Sequence, residues 1–136
     1  MFSIADDLKL DFVLVDTHPG INEETLLSAA IADHLIMVMR PDSQDYLGTA
    51  VAIEVAQRLD VMNIQLVMNK LPSQFSDEVR LRMQESYEVS IGSILPLSED
   101  LLTLASGGLA VLEFPNHAWT DAVRDLATVL LESPGN

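Results

Sequence analysis

Short, continuous apolar runs recur along this chain and alternate with segments that have helical spacing. Four such runs, each bounded by polar residues, lie at 11–16, 34–39, 63–69 and 89–95. Runs of this length are typical of strands that are buried on both faces of a parallel sheet. The alternation therefore predicts an α/β fold with a parallel sheet of about four strands, flanked by helices on both faces.

The segments between the runs carry the signals of helix starts. Each of three helical patterns is preceded by a side chain that can cap the first turn of a helix. These residues are Asn22 for the first pattern, Asp42 or Ser43 for the second, and Ser76 for the third. In the second helix one apolar residue recurs every fourth position: Leu47, Val51, Val55 and Leu59. This stripe predicts an amphipathic helix that packs on the sheet. A short helix over 99–105 and a final helix from about 116 are also expected.

Length and charge limit the classes of protein that fit. The chain has 136 residues, which predicts one domain over 1–136. It has no cysteine, which excludes disulfides and cysteine-bound metal centres. The chain has seven basic and 21 acidic residues. We therefore expect no nucleic-acid partner and no anionic membrane partner. No run is long enough for a membrane span and the first residues lack a signal-peptide pattern, which predicts a cytoplasmic protein.

Polar residues follow each apolar run directly, at the sheet edge where open parallel sheets bind ligands. Asp16 ends the first run and is placed to hold a hydrated Mg²⁺, or it only marks where the chain leaves the core. Asn69 and Lys70 follow the third run. The Asn amide matches the donor and acceptor pattern of adenine, and Asn-Lys also fits an ordinary turn. Pro96 would wall a base pocket or simply end the fourth strand.

Taken together, these motifs resemble the MinD/ParA family of deviant Walker A ATPases. Residues 11–20, DFVLVDTHPG, resemble the Walker B strand and the switch II turn, with His18 where the family has Pro or a small residue. Residues 32–42 resemble the Ala-Asp segment and the strand that follows it. Residues 67–70 resemble the strand that delivers the adenine-contacting Asn, and 94–111 resemble the run that borders the base.

The resemblance extends over nearly the whole chain and implies the fold of the C-terminal half of a SIMIBI-type P-loop NTPase. It implies ATP and Mg²⁺ as ligands and a role in spatial organisation, such as cell division or partitioning. By the resemblance, Asp16 would hold Mg²⁺ through water and Gly20 would approach the γ-phosphate. Asn69 and the Pro96 loop would frame adenine, and Lys70 belongs to the same cofactor-binding set.

One family motif has no counterpart here. Ten residues precede Asp11, and no Gly-rich phosphate loop occurs anywhere in the sequence. That loop supplies the backbone N–H cradle, the lysine charge and the Mg²⁺-binding hydroxyl. We therefore expect an incomplete domain, assign no catalytic residue and expect no hydrolysis by the chain alone. An apolar strand left without its neighbour predicts a homo-oligomer or a second protein chain as partner.

Two other interpretations remain open at this point. Asp16, the Pro19–Gly20 turn and Lys70 with Pro72 also fit a receiver-type phosphoacceptor domain, a signalling module. A non-catalytic interaction module derived from an ATPase is the other, and the missing phosphate loop and the acidic surface both fit it.

Overall fold

A computed structural model describes residues 7–72, 74 and 76–132. In these residues the chain forms three strands: β1 (Leu35–Met39), β2 (Ile64–Leu71) and β3 (Ser90–Pro96). The helices that the description below uses are α1 (Glu23–Ala30), α2 (Ser43–Arg58), α3 (Ser76–Tyr87), α4 (Glu99–Leu104), α5 (Ala110–Glu113) and α6 (Ala118–Glu132).

The three strands form one parallel sheet in the order β1-β2-β3. Leu35 pairs with Ile64 at the start of the first ladder, and Met39 pairs with Met68 at its end. Helices α2 and α3 are the crossovers between the strands, as parallel pairing requires. The predicted α/β class with a parallel sheet flanked by helices is confirmed.

The predicted count of four strands is wrong by one. Residues 11–16 form no strand, and their apolar side chains are exposed; Leu14 is 87% exposed. A strand needs a hydrogen-bonded neighbour, and the described sheet ends at β1 without pairing to this segment. The apolar composition predicts a strand here, but none of the residues that the structure describes pairs with this segment.

One face of the sheet carries the main core. Leu66 and Met68 of β2 are fully buried there and pack with Met83 of α3. The Tyr87 hydroxyl at the end of α3 donates to the backbone carbonyl of Tyr46 in α2 at 2.8 Å. This bond ties the two crossover helices together on the same face of the sheet.

The opposite face of β3 packs against α6. The Ser93 hydroxyl donates to the carbonyl of Ala122 at 2.8 Å. At Gly92, an added Cβ would lie 2.8 Å from Cδ1 of Leu126 and 3.2 Å from Cβ of Gln65. Glycine therefore lets α6 approach the strand this closely without moving the side chains of Leu126 and Gln65.

The helix starts follow the predicted caps. Asn22 accepts a hydrogen bond from the N–H of Thr25, and Asp42 accepts from the N–H groups of Gln44 and Asp45. The apolar stripe of α2 is only partly covered, because Leu47 is 72% exposed and Val51 is 46% exposed. The sheet ends at β1 in the described ranges, and none of their other residues forms a strand beneath this part of the helix.

Within the residues described, no helix is both long and apolar enough to cross a bilayer.

Candidate functional site

A cavity of about 450 Å³ opens at the carboxyl ends of β2 and β3. Asn69 and Lys70 line it from β2, and Pro96 lines it from β3. Helices α4 and α6 contribute Leu101 and Trp119 to its wall. Three of the five residues that the sequence singled out therefore meet in one cavity, at the edge where open parallel sheets bind ligands.

A β-bulge shapes the β2 side of this cavity. Met68 pairs with Ile94 and Leu71 pairs with Pro96, so two residues of β2 oppose one residue of β3. Lys70 takes up the extra length in the left-handed region, with φ of 58°. Bulges of this kind re-aim side chains and recur beside functional sites. Here the bulge sets how Asn69 and Lys70 leave the sheet.

A serine and a histidine lie beside the same cavity, where α4 begins. The Ser98 hydroxyl caps α4 by accepting from the N–H of Leu101 at 3.4 Å, and it lies 3.1 Å from Nε2 of His117. Nδ1 of His117 accepts from the backbone N–H of Trp119 at 2.9 Å. Because Nδ1 is an acceptor, the neutral ring carries its proton on Nε2 and donates to Ser98. The histidine thus cannot take a proton from this serine, and the pair is a structural bridge between α4 and α6.

The other two predicted residues lie in a second, larger space. Asp16 and Gly20 line a groove of about 1070 Å³ together with β1 and the apolar stripe of α2. Gly20 has φ of 99°, which glycine adopts without strain. Asp16 is exposed. The structure therefore separates the predicted metal and γ-phosphate residues from the predicted base residues.

Asp16 is a partial metal site at most. Across the described ranges, no group of three His, Asp or Glu side chains is placed to hold a metal ion. Mg²⁺ keeps several waters and is often bound through one or two carboxylates and the substrate phosphates. A lone exposed carboxylate fits a water-mediated contact of this kind and does not make a site for the ion alone.

Charge is concentrated where β1 meets α2, at the rim of the groove. Arg40 lies 3.2 Å from Asp45 and 3.3 Å from Asp42. The hydrogen bond from the Arg40 side chain holds the pKa of Asp45 below its usual range, and it raises the pKa of Arg40 in turn. The guanidinium is thus committed to its two carboxylate neighbours.

Sequence reasoning missed the part of the cavity wall that helices supply. Trp119 was assigned only to the apolar face of the last helix, and Leu101 was not singled out at all. The pattern Ser98-Glu99-Asp100 signals a capped helix start, but a single sequence does not show that this helix folds back over the strand ends.

Comparison with known proteins gives the fold. No protein-family model matches the chain. Two uncharacterized ATP-binding proteins of Methanocaldococcus jannaschii are 24% identical over 132 residues and 22% identical over 123 residues, covering 96% and 90% of this chain. The chain spans about half the length of these curated relatives, 49% and 47%.

Solved structures agree over almost the entire chain. The MinD cell division protein of Aquifex aeolicus superposes with a TM-score of 0.84 at 17% identity, covering 99% of this chain and 59% of that one. A MinC:MinD cell division protein complex from the same organism gives 0.83 at 18% identity, covering 99% and 57%. This chain therefore has the fold of part of MinD.

Proposed function

We propose that this chain is the adenine-binding part of a MinD-like ATP-binding domain. The observation that carries the proposal is the meeting of Asn69, Lys70 and Pro96 in one cavity at the carboxyl ends of β2 and β3. The fold shared with MinD and the relatives named as ATP-binding proteins support it.

The cavity has the chemistry that a purine needs. Asn69 offers one acceptor and two donor hydrogens on a short side chain, which suits the ring edge of adenine. Pro96, Leu101 and Trp119 supply apolar and aromatic surface against which a flat base packs. Small-molecule sites combine this kind of apolar wall with a few placed polar groups.

The part of the site that would hold the phosphates is less complete than the part that would hold the base. Asp16 would hold Mg²⁺ through water, and Gly20 would approach the γ-phosphate. No Gly-rich loop is present to cradle the triphosphate, so binding by this chain alone rests on the base, and no hydrolysis is expected from it.

The likeness to MinD supports a proposal for the wider role. We place the chain in spatial organisation within the cytoplasm, such as cell division or partitioning, acting with a second copy or a second protein chain. The match to a MinC:MinD complex supports a protein partner. The separation of Asp16 and Lys70 into different cavities disfavours the phosphoacceptor alternative, which needs both at one site.

Calorimetric titration of the 136-residue chain tests the proposal. Adenosine and Mg²⁺-ATP should both bind saturably, and guanosine should bind at least tenfold more weakly. Asn69→Ala should weaken adenosine and ATP binding about tenfold, which corresponds to about 1.4 kcal/mol. Asn116→Ala, an exposed asparagine outside the cavity, is the matched control and should leave both affinities unchanged.

A second variant separates the two ends of the ligand. Asp16→Ala should remove only the gain in ATP affinity that Mg²⁺ produces and should leave adenosine binding intact. Equal affinity for adenosine and guanosine, or an Asn69→Ala variant that binds like the parent, would sink the adenine assignment.

A further inference from the structure

One histidine ring contacts the starts of two helices that wall the cavity. Nδ1 of His117 accepts from the backbone N–H of Trp119, in the first turn of α6, at 2.9 Å. Nε2 of the same ring lies 3.1 Å from the hydroxyl of Ser98, and that hydroxyl caps α4 by accepting from the N–H of Leu101. Leu101 and Trp119 both line the cavity. The imidazole therefore joins one wall of the cavity to the other.

Protonation of the ring removes one of these two bonds and keeps the other. The Nε2–H group donates to Ser98 whether the ring is neutral or charged. The bond to Trp119 needs the lone pair of Nδ1, which a second proton occupies. The charged ring then sets a donor against the N–H of Trp119 and places a positive charge at the positive end of the α6 dipole. Protonation therefore detaches the ring from α6 and leaves it on α4.

The charged groups around His117 act in the same sense. On α4, a carboxylate oxygen of Asp100 lies 3.9 Å from Nε2 and offers the charged ring a partner. In the described part of the chain, no other carboxylate lies within 4 Å of the ring nitrogens. On α6, Asp121 is paired with Arg124 at 2.8 Å, and before α6 the ring meets the uncharged ring of Phe114. A charged ring is thus favoured on the side of α4.

The rest of α6 has anchors that do not depend on the histidine. The Thr120 hydroxyl donates to the carbonyl of Phe114 at 2.7 Å, and Thr120 is only 1% exposed. Arg124 donates to the carbonyl of Pro115 at 2.8 Å. Neither donor changes its charge near neutral pH. Loss of the histidine cap therefore acts on the first turn of α6, which carries Trp119, and not on the helix as a whole.

We propose that His117 is a positioning residue of the cavity, which ties the start of α6 to α4 only while its ring is neutral. When the ring is protonated, the first turn of α6 loosens and the cavity loses a fixed wall at Trp119. Histidine is the side chain whose charge ordinarily changes between about pH 5 and 8, so the change falls in that range. The effect on a bound base rests on the proposed adenine site, whereas the loosening of α6 does not.

Hydrogen exchange at single amides of the 136-residue chain, without ligand, tests the loosening. Exchange is measured at about pH 8 and about pH 5.5 and expressed as protection relative to an unstructured peptide at the same pH. Protection of the Trp119 amide should fall about fivefold on acidification, the change that loss of one N-cap typically produces. The Leu101 amide is the internal control, because the bond from the ring to Ser98 persists and its protection should stay the same.

Two histidine variants assign the change to one ring. His117→Ser supplies an N-cap that does not titrate, so protection of the Trp119 amide should be the same at both pH values. His18→Ser removes an exposed histidine that lies outside this cavity and should show the same fall as the parent chain. A purely structural role of His117 would lower stability in His117→Ser without changing the pH profile of this amide.

Calorimetry with adenosine measures the effect on the cavity. Adenosine does not titrate between pH 5.5 and 8, so a change in its affinity belongs to the protein. Affinity should fall about fivefold on acidification in the parent chain and in His18→Ser, and it should stay constant in His117→Ser. If adenosine binds at neither pH while the Trp119 amide still loses protection, the adenine assignment fails and the loosening of α6 stands.

Three results would overturn the proposal. The first is equal protection of the Trp119 amide at both pH values in the parent chain. The second is a fall in protection that His117→Ser retains, because another group would then be responsible. The third is adenosine affinity that does not change with pH although the amide loses protection, because the first turn of α6 would then not position the cavity wall.

Discussion

The backbone N–H of Arg40 donates to the carboxylate of Asp45 at 2.8 Å, and the Arg40 guanidinium contacts the same oxygen at 3.2 Å. Asp45 lies in the first turn of α2, so one side chain joins the end of β1 to the start of the next helix. A carboxylate near a helix N-terminus is also favoured by the helix dipole.

Because of this link, the free energy of unfolding should fall as the pH becomes acidic. The folded state holds the pKa of Asp45 below its ordinary value of about 3.9, first through its hydrogen bond with the Arg40 side chain. Its contribution is therefore present above about pH 4 and is lost as pH falls through the lowered folded pKa. We expect Asp45→Asn to reduce the fall in unfolding free energy that urea melts measure between about pH 5 and 2, here called the acid limb. Asp125→Asn, on the exposed side of α6, should keep the parent profile; an unchanged limb in Asp45→Asn would contradict the assignment.

Tyr87 should make the free energy of unfolding fall at alkaline pH. Burial raises the pKa of its phenol above the ordinary value of about 10, so its contribution is present below that pH and lost as pH rises through the folded pKa. Tyr87→Phe should remove this alkaline loss and also the bond to the Tyr46 carbonyl, costing about 0.5–1.5 kcal/mol at pH 7. Tyr46→Phe keeps that carbonyl and should leave neutral stability near the parent value. Urea melts at pH 7 and pH 11 measure both effects.

Replacing each of two glycines by alanine should change the stability of the fold in opposite directions. The methyl group added by Gly92→Ala would crowd the side chains of Leu126 and Gln65. This variant should destabilise the fold by about 1–3 kcal/mol. Gly48 lies inside α2 with nothing within 4 Å of an added Cβ, so Gly48→Ala should stabilise by about 0.5–1 kcal/mol. Thermal melts of both variants test the contrast, and a Gly92→Ala chain as stable as the parent would contradict the prediction.

In its neutral form, the His117 ring should be the Nε2–H tautomer. Its Nδ1 accepts from the backbone of Trp119, and its Nε2 faces the hydroxyl of Ser98. Long-range ¹H–¹⁵N correlation spectra distinguish the two ring nitrogens directly. A spectrum with the proton on Nδ1 would contradict the structural role given to this pair. Ser98→Ala should shift the Nε2 signal and cost about 1 kcal/mol, as loss of a helix cap does.

The sequence was sufficient for the class of fold and for predicting that Asn69, Lys70 and Pro96 lie at one edge of the sheet. The runs at 34–39, 63–69 and 89–95 became β1, β2 and β3, because each contains enough consecutive apolar residues for a strand of a parallel sheet, although only β2 is largely buried. Asn69, Lys70 and Pro96 could be grouped in advance, since parallel strands bring their carboxyl ends to one edge.

Features that depend on neighbours could not be predicted in this way. Residues 11–16 have strand composition, yet strand formation needs a paired edge that composition does not reveal. The bulge at Lys70 depends on the register between two strands, and the contribution of Trp119 depends on how α6 packs. Each of these is set by tertiary contact, which a local pattern does not encode.

Trp119 is the single tryptophan of the sequence, and it lies in the wall of the cavity that Asn69 and Pro96 line. The molecule consequently carries its own optical reporter at the candidate site. Any ligand that displaces water from this cavity changes the polarity around one indole, and the emission spectrum records that change without a label. Because α6 is fastened to β3 through Ser93 and Ala122, the same emission also follows the integrity of the sheet during unfolding.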